Sequence, residues 1–382
     1  MHGLEEAMSN IYGRSIKVSI FGESHGAGIG VVIDGMEPGL SLDMEEVKRQ
    51  MARRAPGGSL STPRKEADQV EILSGIRNDV TCGTPICGVI YNQNTRSKDY
   101  DKTRSLLRPS HADYTGHVKY RGYEDYRGGG HFSGRITAPL VFAGAICRQA
   151  LEARGIQIGS HIVKLYDIEE RRFAQEDLTA EKMEALGQER LPLLNPENAE
   201  RIAQQIENAR KECNSLGGIV ETALTGLPAG MGDPFFDSME SRLAQILFSV
   251  PAEKGVSFGA GWEFAGMTGA QANDPYRLRD GRIETVTNHN GGILGGITNG
   301  MPVVFQTVIK PTPSIARPQQ TVNMDTMQEE TLEITGRHDP CIIPRAIPVL
   351  EAAAMIAAAD TTTTAADVAA TPERAKAFSE HL

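Results

Sequence analysis

Ala346-Ile347-Pro348-Val349-Leu350-Glu351-Ala352-Ala353-Ala354-Met355-Ile356-Ala357-Ala358-Ala359 is apolar nearly all round. This pattern predicts a helix buried on most of its sides, because a helix that faces water keeps a polar stripe. Outward from it, residues 136–154 predict a second helix, closed by Gly155 as its cap. Residues 238–250 predict a third, with Met239, Leu243, Ile246 and Leu247 at helical spacing. Residues 42–54 read as helix with Ser41 as candidate N-cap, and residues 196–211 as helix with Asn195 capping and Pro196 in the first position. Residues 16–21 and Val31-Val32-Ile33 read as strands across a glycine-rich loop, a hairpin signal. Strand and helix signals come in blocks and not in strict alternation, so the fold class is expected to be α+β with antiparallel sheets. No linker-like segment divides residues 1–382, so one domain is expected, and residues 360–382 read as a flexible tail.

An internal repeat stands out. Gly75-Ile76, Val80-Thr81, Gly83 and Pro85-Ile86 recur as Gly292-Ile293, Ile297-Thr298, Gly300 and Pro302-Val303, at a constant offset of 217. Each copy runs into a strand-like segment and then into a basic loop bearing His and Asp: Arg108, His111 and Asp113 in one, Arg337-His338-Asp339 in the other. Two readings are open: chance similarity of Gly/Pro turns, or a duplicated unit whose loops face one site.

The 382 residues carry a net charge of −10 and 40% hydrophobic residues, enough for a sizeable core. An acidic chain lacks the basic face that nucleic-acid binding calls for, so no nucleic-acid partner is expected. Any anionic ligand has to meet a local cationic patch. The five cysteines form no Cys-x-x-Cys pair, which fits reduced thiols. The first residues carry no apolar run of signal-peptide type and no stretch is long and apolar enough to span a bilayer; a cytoplasmic location with no membrane contact is the expectation.

The chemistry concentrates between Arg108 and Arg135. Arg108-Pro109-Ser110-His111-Ala112-Asp113 and Arg127-Gly128-Gly129-Gly130-His131-Phe132-Ser133-Gly134-Arg135 combine guanidinium, imidazole and exposed backbone. That mixture holds phosphate or carboxylate and moves a proton beside it. The loop Gly22-Glu23-Ser24-His25-Gly26-Ala27-Gly28 follows a strand but lacks dinucleotide spacing; its His25 reads either as a turn histidine or as a ligand-facing acid or base. Arg53, Arg54, Arg64 and Lys65 read as a solvated basic loop or as a clamp over an anion. Lys310-Pro311-Thr312-Pro313-Ser314 reads as a rigid connector or an anion-binding loop, and Asp339 as a helix-entry ion pair or a proton acceptor. His111-x-Asp113 lacks the further ligands of a metal site, and no G-x-S-x-G elbow occurs, so neither metal catalysis nor serine hydrolysis is expected.

At these residues the sequence resembles the chorismate synthase family. The resemblance rests on Phe21-Gly22-Glu23-Ser24-His25-Gly26, Arg108-Pro109-Ser110-His111-Ala112-Asp113, Tyr126-Arg127-Gly128-Gly129-Gly130 and Gly336-Arg337-His338-Asp339-Pro340-Cys341. Asn288-His289-Asn290-Gly291-Gly292-Ile293 and the Lys310 to Ser314 loop support it, in family order over nearly the whole chain. The resemblance implies a cytoplasmic lyase of the shikimate pathway that converts 5-enolpyruvylshikimate 3-phosphate to chorismate and phosphate. It implies reduced FMN as cofactor without net redox change, NADPH as reductant in bifunctional members, a homotetramer, and a β-α-β sandwich with internal pseudo-duplication. By the same resemblance His25, with Ser24 beside it, matches the histidine that serves the flavin as proton donor. His111 matches the histidine by the leaving phosphate, and Asp339 the aspartate that assists proton removal. Arg54, Arg135, Arg337 and Ser133 match substrate positions; Arg108, His131, Phe132, Ser133, Pro251, Ala252, Gly295, Lys310, Pro311, Thr312, Pro313, Ser314 and Arg337 match flavin positions. Three places depart from the family pattern: His131-Phe132 stands where Arg-Ser is usual, Leu60 where a clamp arginine is usual, and Pro251 where asparagine is usual.

Overall fold

Among the described residues every pairing between named strands is antiparallel. The structure, a computed structural model, describes residues 10–57, 68–92, 104–334 and 339–369, with backbone alone for 363–369. The first sheet holds Ile11–Tyr12 (β1), Lys17–Gly22 (β2), Gly28–Asp34 (β3), Glu71–Ser74 (β4) and Ile86–Tyr91 (β7), in the order β1-β2-β3-β7-β4. The short hairpin Ile76–Arg77 (β5) and Val80–Thr81 (β6) precedes β7. The second sheet holds Gln157–Leu165 (β8), Ile168–Glu169 (β9), Gly218–Thr225 (β10), Glu253–Phe258 (β11) and Val303–Ile309 (β16), in the order β9-β8-β10-β16-β11. Hairpins Tyr276–Arg279 (β12) with Arg282–Thr285 (β13) and Ile293–Leu294 (β14) with Ile297–Thr298 (β15) come before β16; Gln319–Asn323 (β17) pairs with Gln328–Leu332 (β18) after it. The helices are Met44–Arg54 (α1), Asp113–Lys119 (α2), Thr137–Glu152 (α3), Ala180–Gln188 (α4), Ala199–Lys211 (α5), Met239–Leu247 (α6), the single turn Gly269–Ala272 (α7) and Ile343–Ala369 (α8). The α+β expectation holds. Among the described residues no helix is long and apolar enough to cross a membrane.

The two sheets share a chain path. In each, an antiparallel pair is followed by a helix, an edge strand, a two-residue hairpin and an inner strand that pairs back onto the second strand: β2, β3, α1, β4, β5–β6, β7, against β8, β10, α6, β11, β14–β15, β16. The repeated sequence forms the two hairpins in the same register, Ile76 opposite Thr81 and Ile293 opposite Thr298.

The core is built where α3 meets α8. α3 also rests on β2, β3 and β7, and α8 on β8 and β10. Phe142 of α3 reaches β7 at Gly88, where a Cβ would fall 2.6 Å from its ring. A Cβ on Gly144 would fall 2.3 Å from Cβ of Ala352, so the α3 and α8 backbones approach as closely as only small residues allow. The one charged residue in the Ala346–Ala359 run, Glu351, is buried and joins three helices: Arg53 of α1 lies at 2.5 Å and Arg148 of α3 at 3.6 Å. Burial opposes its ionisation, but the two arginines outweigh it and hold the carboxyl below the usual range.

Four element boundaries differ from expectation. α1 is capped by Asp43, whose side chain accepts from the N–H groups of Glu45 (2.9 Å) and Glu46 (3.2 Å); Ser41 is instead bridged to Val80. β3 begins at Gly28, opposite Tyr91, which shortens the glycine loop. Pro196–Asn198 is a separate 3-10 turn ahead of α5. α8 runs to Ala369, beyond the point where a tail was expected at 360. Its polar residues there are satisfied inside the protein: Asp360 accepts from the backbone N–H groups of Arg14, Ser15 and Ile16 and pairs with Arg242, while Thr361 and Thr362 donate to the carbonyls of Ala357 and Ala358.

Gly144→Leu forces α3 and α8 apart. It should destabilise the protein by about 3 kcal/mol or more, read as a lowered midpoint in chemical denaturation; an unchanged midpoint would show that the contact yields.

Candidate active site

Three consecutive glycines set the geometry of the site. Gly128, Gly129 and Gly130 all have positive φ (61°, 85° and 53°), which L side chains rarely adopt. A Cβ at Gly128 would fall 2.1 Å from the His25 ring and 3.2 Å from the Ser24 hydroxyl. One at Gly129 would fall 3.2 Å from the His111 ring and 3.7 Å from an Arg108 guanidinium nitrogen. One at Gly130 would fall 1.9 Å from the Asp125 carbonyl oxygen. The bare backbone therefore brings the two histidines, more than 80 residues apart in sequence, onto neighbouring residues of one loop.

That loop is fastened to the β2–β3 turn. Ser24 N–H donates to the Gly130 carbonyl (3.1 Å) and His131 Nδ1 to the Gly22 carbonyl (2.8 Å). Asn92 tightens the same turn, with its amide nitrogen donating to the carbonyls of Glu23 and Gly26. Phe132 packs over α2, where a Cβ on Gly116 would meet its ring at 2.6 Å. Here the residues that depart from the family pattern take structural partners: His131 a backbone carbonyl, Phe132 the α2 helix.

Arg108, His111 and Asp113 form one hydrogen-bonded unit. Asp113 accepts from Nε (2.8 Å) and Nη2 (2.6 Å) of Arg108 and from the Arg108 backbone N–H (2.9 Å). It also lies 2.7 Å from His111 Nδ1. Burial works against a charge on Asp113, but His111 and Arg108 overcome it and hold its carboxyl well below the usual carboxylate range. An ionised Asp113 only accepts, so His111 Nδ1 carries the hydrogen of that contact and Nε2 is the atom left to exchange a proton.

These groups line a cavity of about 1700 Å³. Of the expected site residues, Ser24, His25, Arg54, Arg108, His111, His131, Phe132, Ser133, Arg135, Pro251, Ala252, Lys310, Thr312, Pro313, Ser314 and Asp339 line it. Pro311 and Gly295 do not: Gly295 sits in the β14–β15 turn, with open space around its Cα. Arg337 and His338, like Leu60, Arg64 and Lys65, fall outside the described residues. Asp339 pairs with Arg345 from the first turn of α8, which realises the helix-entry ion pair. Lys310 Nζ donates to the Ser110 carbonyl (2.6 Å), and Thr312 Oγ1 to the Asp339 carbonyl (3.0 Å), so the Lys310 to Ser314 loop ties two halves of the wall together.

Sequence reading missed Asp68. Its carboxylate, almost wholly buried, stands between Arg54 (2.6 Å) and Arg135 and turns both guanidinium groups into one rigid set. Arg54 also donates to Thr137 Oγ1 (3.1 Å) and Arg135 to Asn92 Oδ1 (3.4 Å). Nothing near Asp68 or Asn92 in sequence marks them, since each matters only through partners distant in the chain. With Lys254, Arg104 and Arg345 also on the wall, seven arginine and lysine side chains stand beside the carboxyl groups of Asp113, Glu124, Asp125, Glu253, Glu333 and Asp339, and guanidinium and ammonium groups of this kind suit phosphate and carboxylate ligands.

Comparison with known proteins agrees with this geometry. A family profile described as chorismate synthase matches residues 16–363. A chorismate synthase of Dehalococcoides mccartyi is 44% identical over 354 residues, covering 92% of this chain and 96% of that one. One from Thermococcus gammatolerans is 43% identical over 349 residues, covering 91% and 96%. A crystal structure of chorismate synthase superposes with a TM-score of 0.70 at 28% identity, over 92% of this chain and 93% of that one. The chain belongs to the chorismate synthase family. Its reaction is that of a chorismate synthase, a carbon–oxygen lyase of the shikimate pathway that eliminates phosphate from 5-enolpyruvylshikimate 3-phosphate to give chorismate.

Gly128→Ala places a methyl group where the His25 ring sits and strains the backbone. Chorismate formation should fall by about 10²-fold, the scale of a lost proton-transfer group, with the far-ultraviolet circular dichroism unchanged. Full activity would show that His25 does not depend on this contact.

Proposed function

We propose that this chain carries out the 1,4-elimination with reduced FMN and substrate held together in the cavity above Gly128 and Gly129. The observation that carries the reading is the seating of His25 and His111 on those two consecutive glycines, in a cavity walled by arginine and lysine. About 1700 Å³ exceeds the space one small ligand fills, which suits a cofactor and a substrate side by side. Lys310, Thr312, Pro313, Ser314, Pro251 and Ala252 are the residues that would hold the flavin, with Arg108, His131, Phe132 and Ser133 across from them. When bound, reduced flavin supplies an electron reversibly to a substrate whose departing hydrogen is only weakly acidic.

The chain's own residues bind, orient and handle protons. Arg54 and Arg135, set at a fixed spacing by Asp68, neutralise substrate anions, and by the family resemblance Arg337 shares that role. His111, oriented through Nδ1 by Asp113, presents Nε2 to the leaving phosphate and can protonate it. His25, beside Ser24, holds a proton at the far side of the glycine loop. Asp339 receives a proton, and its pairing with Arg345 fixes its direction. We read the two sheets and the helices between them as a β-α-β sandwich arising from internal pseudo-duplication, in one domain. A homotetramer in the cytoplasm completes the reading.

Anaerobic turnover of 5-enolpyruvylshikimate 3-phosphate with FMN and dithionite, followed by chorismate absorbance, tests it. Chorismate should form only with reduced flavin; formation without flavin would overturn the cofactor assignment. NADPH in place of dithionite decides whether this chain reduces its own flavin. His111→Ala should cut turnover by about 10²-fold at saturating FMN. Asp339→Asn should lower kcat more than it raises KM; an effect on KM alone would remove the chemical role.

A further inference from the structure

Glu253 is an acid in the cavity wall that none of the roles above uses. It is the first residue of β11, at an irregularity where the β11–β16 register shifts between Glu253 and Gly255. Its side chain folds back, and Oε1 accepts from the backbone N–H groups of Gly255 (3.2 Å) and Val308 (3.1 Å). Oε2 is buried with no hydrogen-bond partner, and the residue is only 4% exposed although it lines the cavity. The residue before it, Ala252, has φ of 74°, and its carbonyl accepts from Lys310 N–H (2.9 Å). Glu253 is thereby locked directly behind two of the residues assigned above to the flavin.

Among the described residues Glu253 forms no ion pair. On its own strand Lys254 is exposed, and at the end of β16 the Lys310 ammonium is taken by the Ser110 carbonyl. Among the described residues, the elements that pack most against β11 besides β16 are α6 and the turn Gly261–Gly266. They bring Glu240, Arg242 and Glu263; Arg242 is held by Asp360, and Glu263 lies 3.6 Å from Arg172. Burial without a counter-charge pushes the Glu253 carboxyl up to about 7, against the pull of its backbone hydrogen bonds.

We propose that binding of an anionic ligand in this cavity is coupled to protonation of Glu253: the neutral carboxyl admits the ligand's negative charge, and the ionised one opposes it. The coupling rests on the flavin reading above, and FMN is the anion it concerns. By linkage, a ligand that binds the protonated form better draws a proton onto Glu253, and its affinity falls as pH rises through the carboxyl's titration.

The test compares the wild type with Glu253→Gln, which keeps an oxygen for the two backbone donors and cannot ionise. FMN binding is followed by calorimetry at about pH 7.5 in buffers of different ionisation enthalpy, and by fluorescence from about pH 6 to 8.5. The wild type should take up about half a proton more than the variant and lose about tenfold more affinity over that range. The phosphate of FMN titrates equally with both proteins and cancels. Equal proton counts and parallel pH profiles would overturn the coupling alone. Failure of both proteins to bind FMN at any pH would overturn the flavin reading and the coupling with it. If the variant does not fold, carbon-13 NMR of the wild-type Glu253 carboxyl decides: its titration midpoint should move up when FMN binds, and a fixed midpoint overturns the proposal.

Discussion

The close contact between α3 and α8 is the constraint on which the rest of the molecule depends. Gly144 against Ala352 lets two mostly apolar helices approach until their backbones nearly touch. Each helix then has a face left for one sheet: α3 for β2, β3 and β7, α8 for β8 and β10. A larger residue at either position would separate the sheets and with them the two halves of the cavity wall. The Glu351 carboxylate adds direction to this apolar contact. A buried charge is costly unless it meets its partners, so helix positions that fail to bring Arg53 and Arg148 to Glu351 are penalised.

On this frame the site is assembled by backbone more than by side chains. The glycine triplet adopts conformations closed to other residues and gives up the volume that His25 and His111 occupy. Around it, charge is handled in two ways. Half-buried Asp113, held below the usual carboxylate range by His111 and Arg108, and the buried Asp68 carboxylate take arginine partners, which fixes the arginines in place. Glu253 is buried without such a partner and is drawn toward its neutral form. One cavity thus contains carboxylates set to anchor cations and one set to exchange a proton near neutrality.

The departures from the family pattern are accommodated locally. His131 stands where the family resemblance implies arginine, and its Nδ1 bonds the Gly22 carbonyl and fastens the glycine loop to the β2–β3 turn. Phe132 in place of serine gives up a hydroxyl and gains the apolar surface of α2 and Tyr120. Arg108, Lys310 and Arg345 remain on the wall, each held by a partner in the protein: Asp113, the Ser110 carbonyl and Asp339.

The sequence by itself determined the α+β class, the central helices, the β2–β3 hairpin and the Arg and His clusters around His25, Arg108 and His111 that line the cavity. These follow from local signals: apolar runs with a period, glycine where the backbone must turn, and Arg and His grouped with exposed backbone. The repeat at offset 217 was legible for the same reason, since it is written in Gly and Pro turns that form the same hairpin twice. Tertiary structure alone decided what those residues do to one another. Asp68 and Asn92 carry no local mark, yet one fixes the spacing of Arg54 and Arg135 and the other the His25 turn. Asp360 looked like the start of a tail because its partners, the backbone of residues 14–16 and Arg242, are remote in the chain. Glu253 in a list of residues is an ordinary surface acid; only burial between β16 and the cavity, with no ion pair among the described residues, pushes its carboxyl up. Periodicity and turn chemistry act over a few residues, whereas burial and charge pairing are properties of the packed whole.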